Sequence, residues 1–111
     1  MLRAEVWWVV FDPSVGGEIQ KTRPAVIVSN NSSNKNLNRV QVIPISSSVA
    51  RVYSSEALIE LNGEPRKAIA DQITTVSKQR LKSMLGRLSR DDMHAVERAI
   101  RVQLGMLNEQ L

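Results

Sequence analysis

Arg23 stands in the run Thr22-Arg23-Pro24, between a polar, glycine-containing stretch and an apolar run. A guanidinium offers a fixed fork of N–H donors and stays charged, so an arginine placed there suits a phosphate. A surface ion pair is the alternative use. Ser46-Ser47-Ser48 follows a second apolar run. A hydroxyl in that place either donates to a phosphoryl oxygen or forms a hydrophilic strand end. Asp71-Gln72 follows a third apolar run, where short polar side chains read a base edge or brace a loop. Lys78, Arg80, Lys82, Arg87 and Arg90 put five positive charges and no negative one into residues 78–90. That run is either a nucleic-acid patch or the solvated face of a turn and strand.

Most other catalytic kits are missing. The chain has no cysteine, hence no disulfide framework, thiolate metal site or cysteine nucleophile. Its one histidine, His94, cannot build a histidine-rich metal site. It falls one position after an apolar helix residue, on the expected exposed flank. Asp91 and Asp92 are adjacent, and neighbours on a helix point about 100° apart, so they do not converge on one atom. They suit the positive end of a helix dipole instead. No G-x-S-x-G elbow, P-loop, dinucleotide fingerprint or zinc spacing occurs.

Composition agrees with a small globular protein that meets a polyanion. The 111 residues are 42% hydrophobic and 23% charged. One domain spanning 1–111 is expected, with room for one modest core, and oligomerisation is one way to cover more surface. Fifteen Lys and Arg face eleven Asp and Glu, a net charge of +4. A pI near 10.0 is a mild pointer to nucleic acid. Aromatic residues make up only 4%, which argues against a platform of several exposed rings. No stretch is long and apolar enough to span a bilayer, and a reducing, cytoplasmic location is expected.

The elements that must position these groups are mostly strands. Glu5 to Phe11 reads as a first strand, apolar on both alternating faces. A strand of that kind, with Trp7 on one face and Trp8 on the other, is either sandwiched within one chain or half buried by a partner chain. Asp12 to Thr22 reads as a break and polar loop. Pro24 to Ser29 is a second strand, with proline at its start where a missing donor costs little. Asn30 to Asn38 reads as a surface loop. Val40–Ile45, Ala57–Leu61 and Lys67–Ala70 are further strands, the fourth closed by Asn62-Gly63. Ser77 caps one helical turn from Lys78 to Leu81, and Met84–Leu88 is the last strand. Ser89 and Asp92 form an S-x-x-D box. Met93, Val96, Ile100, Leu104 and Leu107 then recur at helical spacing. A helix over about 90–104 follows, ended by Gly105. The fold class is mainly β with a C-terminal α-helix, in a small curved barrel or sheet.

Four stretches, in this order, resemble the MazF/PemK family of toxin endoribonucleases. They are Glu5 to Glu18 (EVWWVVFDPSVGGE), Lys21 to Asn31 (KTRPAVIVSNN), Val42 to Ser47 (VIPISS) and Ala68 to Thr75 (AIADQITT). Leu85 to Ser89 (LGRLS) then precedes the helix, so the likeness runs from about residue 3 to residue 106. The resemblance implies an SH3-like β barrel working as a homodimer. It implies sequence-selective cleavage of single-stranded RNA, mainly mRNA, with neither metal nor cofactor. The implied products are a 2′,3′-cyclic phosphate and a 5′-hydroxyl. The implied partner is an antitoxin whose acidic, disordered C-terminal segment covers the RNA site; no membrane is involved.

By the same resemblance the catalytic arginine falls on Arg23 and the catalytic hydroxyl on Ser46. Glu18, Gln20, Lys21, Ser47, Asp71 and Gln72 fall on or beside RNA-binding positions. The chain departs from the family twice. Ser46 stands where threonine is more usual, and Gly17 where the PemK branch has a histidine. A rival on the same fold is a non-enzymatic, CcdB-like poison that binds DNA gyrase. A peptide-binding SH3-type barrel would need an exposed aromatic groove that four aromatics scarcely supply.

Overall fold

Seven strands and two helices follow one another in this computed structural model, which describes residues 1–11 and 21–107. The strands are β1 (Glu5–Val10), β2 (Thr22–Ile27), β3 (Arg39–Ser46), β4 (Glu56–Leu61), β5 (Glu64–Ile69), β6 (Thr74–Ser77) and β7 (Leu81–Arg87). The helices are α1 (Asn31–Asn36) and α2 (Arg90–Gln103). Three-residue 3-10 turns lie at Ala70–Gln72 and Lys78–Arg80. This is the mainly β architecture with a C-terminal helix that the sequence implies.

The connectivity forces the sheet to roll. Antiparallel pairs run in the order β6-β3-β2-β1-β7. Laid flat, four strand spacings would separate β6 from β7 by about 19 Å. The chain from Ser77 to Leu81 reaches at most about 14 Å, and a 3-10 turn is shorter still. The two edges must therefore curl toward each other. Two register shifts along the β1–β7 ladder add local twist. The rolled interior holds Val9, Ala25, Ile27, Val40, Val42, Val76 and Leu81, with Trp7 and Phe11 against it.

The other face carries a second core. Val6, Val26, Ile43 and Ile45 alternate to that side and meet Met93, Val96 and Ala99 of α2. Strands β4 and β5 complete it with Ile59, Leu61 and Ala68. β3 is shared: it pairs with β6 and β2 through its first six residues, then with β5 at Ile45 and Ser46. Of the tryptophans, Trp7 packs on the barrel interior, while Trp8 is 37% exposed.

Local signals set the ends of elements. Asn62 and Gly63 both have positive φ, 52° and 83°, the type I′ geometry that joins β4 to β5. Ser89 accepts from the Asp92 N–H at 3.1 Å and caps α2. The Asp92 carboxylate does not return the bond. It accepts from the Glu60 N–H at 2.9 Å and ties the helix to β4. After Leu104, Gly105 turns left-handed at φ 72°. Met106 N–H then reaches Arg101 O, and Gly105 N–H reaches Val102 O, the Schellman pattern.

One expectation needs correction, and one strand was not foreseen. Asn30–Asn38 is not a plain loop, because Asn31–Asn36 form a short helix capped by the Asn30 side chain. Asn34 is buried, bonded to the Ser29 hydroxyl and the Ser29 carbonyl. Those bonds override the weak helix propensity of asparagine. Residues 74–77 are a strand with no sequence signal of their own. Among the described residues no helix is long and apolar enough to cross a membrane.

Candidate functional site

The site forms where β1 hands over to β2. Phe11 N–H donates to the Lys21 carbonyl at 3.0 Å, and the ladder continues as Val10 opposite Thr22 and Val9 opposite Arg23. Pro24 lies opposite Trp8 and lacks the donor that a strand residue usually supplies. Across the next ladder Ala25 pairs with Pro44. A cavity of about 340 Å³ opens at this end of the barrel. Among the described residues its walls are Phe11, Lys21, Arg23, Pro44, Gln72 and Thr74.

These walls combine two cations, a ring, an amide and a hydroxyl over a buried proline. Gln72 arrives on the Ala70–Gln72 turn, and Thr74 opens β6 opposite Val42. Among the described residues Arg23 has no carboxylate partner, so its fork is open to an incoming oxyanion. The set suits a phosphodiester flanked by bases: cations for the phosphate, a ring face and an amide for a base.

Lys21, Arg23 and Gln72 are thus brought together in the wall of one cavity. Ser46 lies two residues beyond Pro44 on β3, and its Oγ accepts from the Ser48 N–H at 3.1 Å. Accepting that bond leaves the Ser46 O–H free to donate. Ser47 and Asp71 are exposed, and neither is among the residues that form the cavity wall. Glu18 and Gln20 lie outside the described residues. Phe11, Pro44 and Thr74 join the site without having been singled out. Phe11 had a signal, as the last apolar residue of a two-faced strand.

Lys67 was also missed. It faces Ser46 across the β3–β5 ladder. Its ammonium donates to Glu56 Oε1 at 3.0 Å and to the Arg51 carbonyl at 2.9 Å. Both side chains of the pair are only 11% exposed. Burial pushes the Glu56 carboxyl up, but the Tyr53 N–H and Lys67 outweigh it and hold the group below its ordinary 4.5.

A small rolled sheet with a C-terminal helix and a cationic cavity at the barrel end defines a recognisable class. Residues 2–104 match the family model of the PemK-like, MazF-like toxins of type II toxin–antitoxin systems, and the chain belongs to that family. It is 32% identical over 115 residues to endoribonuclease MazF9 of Mycobacterium tuberculosis, covering 96% of this chain and 98% of that protein. The fold is similar to that of an endoribonuclease in complex with its cognate antitoxin from a mycobacterial species, with TM-score 0.80 and 23% identity over 98% of this chain and 99% of that one. It is similar as well to MazF in a MazE–MazF complex of Deinococcus radiodurans, with TM-score 0.80 and 24% identity over 96% and 97% of the two chains. Family membership and the curated relative favour the ribonuclease over the gyrase-binding poison.

Proposed function

We propose that this MazF-like endoribonuclease cuts single-stranded RNA, chiefly mRNA, by making the substrate attack itself. The ribose 2′-OH adds to its own 3′ phosphorus as the bond to the 5′ oxygen breaks. The products are a 2′,3′-cyclic phosphate and a 5′-hydroxyl. Charge developing on the phosphoryl oxygens is met by the Arg23 fork, with Lys21 beside it. Ser46 donates a further hydrogen bond. Gln72 and Thr74 hold the flanking nucleotide. An arginine is too weak an acid to act as a base at neutral pH, so positioning and electrostatics carry most of the rate. The reaction needs no metal and no cofactor.

The observation that carries this reading is the cavity in which Lys21 and Arg23 meet Gln72, Thr74 and an aromatic ring. The protein acts in the cytoplasm, as a homodimer. Its antitoxin silences it by laying an acidic, disordered C-terminal segment on the same cations. Incubation of the purified protein with a long single-stranded RNA in EDTA tests the core of it. Cut fragments ending in cyclic phosphate are expected. Intact RNA after incubation with a folded protein overturns the reading.

A further inference from the structure

Residues 47–55 leave β3 at Ser46 and return at Glu56, the start of β4. Tyr53, the chain's one tyrosine, stands on this stretch and is 57% exposed. It belongs to neither hydrophobic core. Yet it is firmly held. Its N–H donates to Glu56 Oε1 at 2.9 Å, and its carbonyl accepts from the Glu56 N–H at 2.9 Å. The neighbouring Arg51 carbonyl takes a bond from Lys67 at 2.9 Å. The largely shielded Glu56–Lys67 pair therefore pins both ends of the residue triplet 51–53.

The ring has cations beside it. The Arg51 guanidinium carbon is 5.9 Å from the ring centroid and the Lys67 ammonium 6.0 Å. Arg51 Nη1 also donates to the phenol oxygen at 3.2 Å. A ring more than half exposed, tethered by its backbone and its phenol oxygen, loses little freedom when a base stacks on its open part. A cation over part of the ring meets the phosphate that every stacked nucleotide brings. Lys67 places this arrangement beside Ser46, its partner across the ladder.

We infer that Tyr53 is a specificity-determining residue, a stacking face for a nucleobase of the single-stranded RNA next to Ser46, with Arg51 on the adjoining phosphate. The inference rests on the ribonuclease reading above. It concerns a subsite apart from the Arg23 cavity, whose described wall does not include Tyr53.

Three proteins, the wild type, Tyr53→Phe and Tyr53→Leu, are compared on one long single-stranded RNA with cut sites mapped. Tyr53→Phe keeps the ring and should keep the cut sites and KM. Tyr53→Leu should raise KM roughly ten-fold, with kcat little changed, and relax the base preference at one position flanking the cut. Because the chain has one tyrosine, fluorotyrosine labelling gives one fluorine resonance. An oligonucleotide made uncleavable by a 2′-deoxy residue should shift that resonance upfield, and an abasic version should not. A wild type that cuts RNA, beside a Tyr53→Leu protein of unchanged KM and cut pattern, overturns the role of Tyr53 alone. A wild type that cuts no RNA overturns both this role and the ribonuclease reading.

Discussion

Arg23 and Ser46 each stand two residues beyond Ala25 and Pro44, the pair at which the β2–β3 ladder ends. In an antiparallel register, residues at equal distance from a pair lie opposite each other, on the same face. The guanidinium and the hydroxyl therefore flank one strand end, although they come from different strands and different runs of sequence. Removing the Arg23 fork should remove transition-state stabilisation and leave the core intact. Arg23→Ala is expected to lower kcat on RNA by about 10²–10³-fold or more. Arg23→Lys restores charge without the fork and should recover only part of the rate. Single-turnover cleavage, with circular dichroism melting as the control for folding, checks both.

Ser46→Ala should lower kcat and leave KM nearly unchanged, since the bond proposed from Ser46 to phosphate would matter most as charge develops. Ser46→Thr keeps the hydroxyl and gains a methyl that restricts its rotamers, so it should cut at least as fast as the wild type. Equal rates for the wild type and Ser46→Ala would remove the hydroxyl from the mechanism.

A substrate with 2′-deoxyribose at the cut position lacks the attacking group. It should bind and stay whole under conditions that consume the all-ribose oligonucleotide. Gel analysis of the two side by side is enough, and cleavage of the deoxy substrate would require an external nucleophile.

The Glu56 carboxyl has a folded pKa below its ordinary 4.5, because bonds from Tyr53 and Lys67 outweigh the effect of burial. Between the folded and the unfolded pKa, the unfolded chain binds more protons. Its contribution to stability is therefore present above pH 4.5 and is lost as pH falls through the folded value. The wild type should lose urea resistance on acidification below that point. Glu56→Gln should start less stable at pH 7 and show a shallower acid slope. Parallel slopes would show that the pair does not carry the dependence.

Met93 is 5% exposed in the core between α2 and the sheet. Met93→Ala should cost about 2–5 kcal/mol of unfolding free energy in urea. Its cleavage rate at low temperature should stay near wild type, because Met93 is not itself a wall residue of the cavity.

Local chemistry was legible wherever one residue decides a backbone state. Pro24 opens its strand, Asn62-Gly63 makes its primed turn, and Ser89 and Gly105 bound the last helix. Legibility failed where a distant partner decides. Asn34 belongs to a helix because Ser29 receives its side chain in a buried pocket of hydrogen bonds. Thr74–Ser77 holds one buried apolar residue, Val76, too few to display alternation, and becomes a strand because β3 offers an edge. Of the site, Arg23 and Lys21 are contiguous with a readable strand start. Their meeting with Gln72 and Thr74 exists only once the sheet has rolled, which no short window can encode.

That rolling has a consequence for how the protein comes into being. Phe11 and Thr74 form walls of the same cavity, yet 63 positions of sequence separate them. A nascent chain of which only β1 and β2 have emerged already carries Arg23 but has nothing to close the far wall. The enclosure is finished only after β6 has left the ribosome and β7 can dock on β1. While it is being made, this nuclease therefore lacks its full cavity until β6 and β7 have been added.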